Sequence, residues 1–316
     1  MSSDDTKFDQ VSSPQAPVRA RERVHKYLTE DLGVRASVLI ATHVVEEMRQ
    51  IQNLAPIPAV AVGRATIGAL LMASHLKNSQ HLSIYFRGKG PLQSIFAEAS
   101  FEGKTRSFTA NPTYAEPIVG ENILIGDAIG IGLLTVTHHL PMQDQPHRGT
   151  VIIRSGEIGD DLAFYLDQSH QIPSVVSLGV HIDTYGRVTA AGGILIELMP
   201  GHDEATVAKI EKRVQNAQSI SKRILEGATA KDLINDYLSD FKLLELEHDY
   251  PVEYQCRCSE ERMKRSLMLL GLEELDRMIE ENKTLDVSCE FCGRSFQVRT
   301  EEQKRIRNEV YRGSLN

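Results

Sequence analysis

Four thiols carry the chemistry that is legible in this chain of 316 residues. Cys256 and Cys258 form a Cys-x-Cys, thirty residues intervene, and Cys289 and Cys292 form a Cys-x-x-Cys; no other cysteine occurs. Two pairs of soft ligands at this spacing suit a tetrahedral four-sulfur Zn2+ site, one ion per chain, with an iron–sulfur centre as the metal alternative. When protein fills all four positions, water and substrate have no open one, so hydrolytic metal catalysis is disfavoured. Oxidation of Cys256 with Cys258, and of Cys289 with Cys292, would each withdraw two thiolates from the ion, and both bridges are reachable within one pair. A segment of about 45 residues holds too little core to stand alone, and structural zinc supplies on the order of 10 to 16 kcal/mol at neutral pH, so oxidation should unfold it. The bland alternative is a permanently closed structural zinc ribbon.

The elements that must position these sulfurs occupy 253–316. Ser259, followed by Glu260 and Glu261, offers an N-cap with acids in the first turn, and a helix then runs to Leu270 before Gly271. A short helix follows over Leu275 to Ile279. Leu285 to Ser288 and Ser295 to Val298 flank Cys289-Glu290-Phe291-Cys292-Gly293 as a hairpin knuckle that points two sulfurs at one ion, and Thr300 with Gln303 caps a closing helix to Tyr311.

Upstream, 201–252 reads as two amphipathic helices. Val207, Ile210, Val214, Ala217, Ile220 and Ile224 make one apolar stripe ending near Gly227. Thr229 and Asp232 make a capping box, and Ile234, Tyr237, Leu238, Phe241 and Leu244 make a second stripe. Seven Lys/Arg and ten Asp/Glu between Asp203 and Asp249 leave each helix a charged outer face, so each narrow apolar stripe must dock on something. That docking is either permanent or conditional on the neighbouring thiols.

Residues 18–200 mix short strands and helices, which predicts an α+β domain with mostly antiparallel sheet. Leu82, Ile84 and Phe86 alternate with polar residues, Gly88-Lys89-Gly90-Pro91 turns the chain, and a second strand runs around Ile95 to Ala99. Further strands are expected at Leu133–Val136, Val151–Ile153, Val175–Ile182 and Ile194–Met199, and helices at Arg19–Leu32, Ala59–Leu76 and Asp160–Gln168, with Asp160 and Asp161 capping the last. Residues 1–17, rich in Ser, Asp, Gln and Pro, read as a disordered tail without a secretory signal. No run of about 20 apolar residues is uninterrupted, so no membrane span is expected; a reducing cytoplasmic compartment is implied, in which the four cysteines read as a metal or redox site rather than as structural bridges. The net charge of −8 disfavours a generic polyanion binder, and Cys256 to Cys292 carries six Lys/Arg against nine Asp/Glu, which disfavours nucleic acid despite Arg257, Arg262, Lys264 and Arg265. No Walker loop is present. His138, His139 and His147 fit surface or turn roles.

The cysteine pattern at the C-terminal end resembles the heat shock protein 33 family of redox-regulated chaperonins. Gly88-Lys89-Gly90-Pro91, Tyr165 with Ser169, Gln171 and Pro173, and Ala190-Ala191-Gly192-Gly193-Ile194 running to Met199-Pro200 resemble it too, over roughly Val24 to Val298. The chain departs from the family in the tail before Val18 and at Ala36-Ser37. The resemblance implies an ATP-independent holdase and not an enzyme: inactive when reduced and zinc-bound, and activated when Cys256–Cys258 and Cys289–Cys292 disulfides form, zinc is released and the adjacent linker unfolds. It further implies capture of unfolding client proteins, a homodimer in the activated form, and four parts: the tail 1–17, a substrate-binding domain 18–200, a redox-sensitive linker 201–252 and a zinc-binding switch 253–316. Two other readings are a zinc-ribbon module binding nucleic acid or protein, and a thiol oxidoreductase, whose Cys-x-x-Cys would stand near a βαβ unit that this pattern lacks.

Overall fold

Pro56–Ala73 is apolar on every face, and a helix of that composition has to be enclosed on all sides. It is: of its 18 residues only Pro56 and Arg64 escape full burial. Its length and apolarity would also suit a membrane span, but 89% of it lies inside the protein. The computed structural model in which this is seen describes residues 22–116, 124–141, 145–247 and 250–313, so the expected tail 1–17 lies outside the described residues.

In chain order the elements are β1 (Val24–Thr29), β2 (Val34–Ile40), α1 (Thr42–Gln52), α2 (Pro56–Ala73), β3 (His81–Gly88), β4 (Ser94–Ser100), β5 (Lys104–Thr109), α3 (Gly126–Ile129), β6 (Gly132–His139), β7 (His147–Ile152), α4 (Ile158–His170), β8 (Ser174–Ile182) and β9 (Val188–Leu198). Then come α5 (Glu204–Asn216), α6 (Ile220–Leu225), α7 (Ala230–Leu238), β10 (Leu243–Leu246), β11 (Glu253–Tyr254), α8 (Glu260–Leu267), a 3-10 turn Met268–Leu270, α9 (Leu272–Glu280), β12 (Leu285–Ser288), β13 (Ser295–Val298) and α10 (Thr300–Gly313).

The fold is α+β and mostly antiparallel. Two sheets sandwich α2: one of five strands in the order β10-β1-β2-β9-β8, the other of six in the order β11-β5-β4-β3-β6-β7. Each presents its inner face to a single core that includes Leu39, Leu195, Ile67, Leu71, Leu82, Ile84 and Phe86. The Leu162 side chain of α4 packs directly on α2 at Gly68, where an added Cβ would lie 2.5 Å from its Cδ1. The outer face of the five-stranded sheet is apolar as well. Val34, Ala36, Val38, Ile194 and Ile196 meet Ile210, Ile220, Leu233, Ile234 and Tyr237 there, so α5, α6 and α7 form a fourth layer.

Several expectations hold residue by residue. The hairpin of β3 and β4 pairs Ile84 with Ala97, the Thr229–Asp232 capping box is complete, and β12 and β13 have the expected bounds. Others are corrected. The helix expected over Arg19–Leu32 is strand β1 where described, because Val24 and Tyr27 face two different cores; burial on both faces of a strand produced a three-residue spacing that resembles a helical one. The helix α1 was unforeseen. The first stripe is broken in two: Ala217 ends α5 in extended backbone and Ser219 caps α6. The second stops at Leu238, since Phe241 sits in a turn and Leu244 lies in β10, paired with Leu28 of β1. Asp161 does not cap α4. It is fully buried and accepts from the backbone N–H groups of Arg154, Ser155 and Gly156, tying down the preceding loop. Ala36 and Ser37, the departure from the family pattern, lie in regular register within β2.

Candidate metal centre

Two unconnected elements deliver the sulfurs. β11 pairs parallel with β5 through Glu253 and Tyr254, and this short ladder ends just before Cys256, so the edge of the six-stranded sheet sets where Cys-x-Cys begins. The β12–β13 hairpin delivers the other pair. Its turn is closed by the Cys289 N–H donating to the Arg294 carbonyl and the Gly293 N–H donating to the Cys289 carbonyl. Gly293 has φ +66, the left-handed region in which a side chain would be strained. Ser259 caps α8 through the Arg262 N–H.

The structure brings all four predicted thiols together: every pair of sulfurs lies within 4.8 Å. Cys256 and Cys289 Sγ are 3.6 Å apart, Cys258 and Cys292 Sγ 3.4 Å. Four sulfurs about 2.3 Å from a central ion would stand roughly 3.8 Å from one another, so the cluster has the dimensions of a tetrahedral thiolate site. Its chemistry also asks for a cation. Burial, above all, pushes the Cys256 thiol well up, with the neighbouring thiols adding to it, and burial likewise raises Cys258. Burial works in the same direction on Cys292, but the Arg294 amide and the surrounding thiols overcome it and hold that thiol below its ordinary value. Four thiolates crowded into one site repel one another, and a divalent charge among them offsets that repulsion. Cys256, Cys258, Cys289 and Cys292 could therefore hold a metal ion.

The module around the site is thinly built. Its buried apolar cluster is Leu267, Leu275, Val298 and Ile306. Gln303, expected as a cap partner of Thr300, is instead fully buried and donates to the Lys283 and Val298 carbonyls, while Glu302 accepts from the Arg299 N–H at the helix start.

Residues outside the cysteine pattern join this module to the body. The Tyr254 hydroxyl accepts from Gln52 Nε2 and lies within hydrogen-bond reach of the carbonyls of Ser107 and Phe291. Burial pushes its pKa far up, so it stays a donor. Phe291, inside the Cys-x-x-Cys, packs edge-on against Phe108 and Phe96 with centroids 5.1 and 5.8 Å away. The Arg106 guanidinium lies 4.4 Å from its centroid. An aromatic residue within a knuckle of an otherwise charged module was the signal available in the sequence. Among the described residues no histidine belongs to a cluster of three or more His, Cys, Asp or Glu side chains that could hold a metal ion. His147 is exposed as expected, whereas His138, opposite it in β6, has its Nε2 buried.

A mostly antiparallel α+β body, an apolar sheet face covered by amphipathic helices, and a four-thiol module define a protein whose chemistry is sulfur-based and whose surfaces are partly hidden. A family model for the Hsp33 protein matches residues 22–299. The chain is 35% identical over 289 residues to a 33 kDa chaperonin of Thermodesulfovibrio yellowstonii, covering 92% of this chain and 100% of that one. It is 39% identical over 272 residues to a 33 kDa chaperonin of Aquifex aeolicus, covering 84% and 82%. The crystal structure of the 33 kDa chaperonin of Thermotoga maritima is similar at TM-score 0.81 and 29% identity, covering 93% of this chain and all of that one. The chain belongs to the Hsp33 family. It is a redox-regulated chaperone, and its partners are unfolded proteins.

Proposed function

We propose that this protein is an ATP-independent holdase of the cytoplasm whose client surface is hidden while Cys256, Cys258, Cys289 and Cys292 hold one Zn2+. The ion supplies the charge that keeps four thiolates together and much of the free energy that folds the module. The observation that carries the reading is the pairing of that tight sulfur cluster with a core of four buried apolar side chains. Closing the Cys256–Cys258 and Cys289–Cys292 disulfides takes two electrons from each pair of thiolates, which one peroxide per bridge accepts as it takes two protons from solvent and becomes two waters. Each bridge removes two of the four donors. Within-pair closure is favoured once the module loosens, because the loops to be closed are the shortest. Residues 253–316 then act as the switch, 201–252 as the linker that follows it, and 18–200 as the client-binding and dimerising body. The apolar stripes of α5, α6 and α7 and the sheet face beneath them are the surfaces released. An acidic balance around the cysteines supports a protein rather than a nucleic-acid partner.

Hydrogen peroxide at mild heat is expected to release about one zinc per chain, measured with a chromogenic chelator, and to switch on suppression of aggregation of a thermally unfolding client. Reductant with added zinc should reverse both. Zinc loss that leaves chaperone activity unchanged overturns the proposal.

A further inference from the structure

The outer face of the six-stranded sheet points away from α2, and strand alternation predicts polar residues on it. It carries an aromatic row instead. Phe108 of β5 pairs with Phe96 of β4, and Phe96 pairs with Tyr85 of β3, so the three rings line up across neighbouring strands. Phe96 and Phe108 stack at 5.5 Å, and Tyr85 follows at 6.4 Å from Phe96. Beyond Tyr85 the row meets Thr135 and Thr150, and two residues along the same face lie Leu133 and Ile152, opposite one another in β6 and β7 and 50% and 61% exposed. An aromatic row of this kind on an outer sheet face marks an interaction surface.

One end of the row is occupied. Phe291 stands edge-on to both Phe108 and Phe96. Arg106 covers another side of its ring, itself clamped by Glu98 through two bonds of 3.1 and 3.0 Å. The Phe291 carbonyl lies against the Tyr254 hydroxyl. Phe291 belongs to the Cys289–Cys292 knuckle, so its seat exists only while that turn keeps its shape.

The geometry points to Phe291 as a plug on a second client-binding surface, separate from the sheet face that lies under α5, α6 and α7. Resting on the redox reading above, the inference is that rearrangement of the knuckle withdraws Phe291 from the Phe108–Phe96–Tyr85 row. An extended segment of an unfolding protein then takes its place, inserting an aromatic or large aliphatic side chain beside Arg106. The occupant's chemistry is read from the side chain the site already holds, and the strand-like row of rings suits an unfolded chain better than a folded surface.

The test uses the full-length chain and carboxymethylated α-lactalbumin as a permanently unfolded client. The chaperone has no tryptophan, so client tryptophan anisotropy reports binding directly. Reduced, zinc-loaded Phe291→Ala is expected to bind the client at least tenfold more tightly than reduced wild type; zinc retained with no gain in binding overturns the inference. If that variant loses zinc, the paired change Phe96→Ser with Phe108→Ser decides it in the oxidised protein: at least fivefold weaker binding supports the plug, and unchanged binding overturns it. A photo-crosslinking benzoylphenylalanine in place of Tyr85 should form client adducts only after oxidation, and adducts equal in both states would also overturn it. Oxidised wild type that fails to bind the client sinks the holdase reading instead, and reduced Phe291→Ala still reports on the plug.

Discussion

Each sulfur of the cluster is set by neighbours that look unremarkable alone: a two-residue strand before Cys256, a left-handed glycine after Cys292, and an amide donated to the Cys292 sulfur. Precision at this scale comes from backbone geometry, which is why the cysteine positions were legible from spacing while Tyr254 and Arg106 were not. His138 carries a separate prediction. Burial pushes its pKa down to about 4, with His170, His147 and His139 adding repulsion. The folded ring stays neutral where an unfolded one, near 6.5, takes up a proton. Its contribution is therefore complete above pH 6.5 and is lost as pH falls toward 4. Because the ring is only partly enclosed, the loss should be about 2 kcal/mol rather than the full value of the shift. Urea unfolding of the reduced protein between pH 7 and pH 4.5 should show a steeper loss in wild type than in His138→Phe; parallel curves would refute this role.

Among the elements, α7 shows how the linker is fastened. Its capping box is complete, Leu233 and Ile234 are buried, and the Tyr237 hydroxyl donates to Ser177 of β8 at 3.1 Å. Two ion pairs, Arg223–Asp236 at 2.7 Å and Arg213–Asp240 at 2.8 Å, stitch the helices to one another at the surface, where each contributes little. Attachment is thus mainly apolar and local to a few side chains. Thr229→Ala is expected to cost about 1 kcal/mol through the lost cap. Leu233→Ala should cost about 2 to 5 kcal/mol through the cavity left behind. Both should undock the linker before the body melts, so limited proteolysis of the reduced protein should cut within 201–252, faster for Leu233→Ala than for Thr229→Ala. Cleavage confined to the body would show that α7 is not independently fastened. The capping box was legible because it is a local pattern of four residues. The break at Ala217 was not, since α5 packs against α7 while α6 packs on β8 and β9, and only the assembled layer separates those partners.

At the scale of the whole molecule, the layers differ in what holds them. The two sheets around α2 share one extensive apolar core, whereas the C-terminal module has four buried apolar side chains and its sulfur cluster. Stability is therefore graded along the chain, with the four-thiol cluster at the weak end. Chelation under reducing conditions should remove far-UV helix signal equivalent to α8, α9 and α10 and open 253–313 to protease, while a fragment spanning the two sheets stays intact. Uniform digestion of the whole chain would contradict that gradient.

Sequence alone determined what depends on near neighbours: four soft ligands in two pairs, the β12–β13 knuckle, the β3–β4 hairpin, the caps at Thr229 and Ser259, and a mostly antiparallel α+β class. Hydrogen bonds and ligand spacings of this kind close within a few residues, so residue order is enough to imply them. Tertiary structure decided what depends on distant partners. It made 24–29 a strand by covering both its faces, gave the apolar stripes of α5 to α7 a sheet to lie on, and seated Phe291 on Phe108 and Phe96, more than 180 residues away in the chain. Burial of apolar surface is non-directional, and only the assembled sheets fix which face each side chain meets.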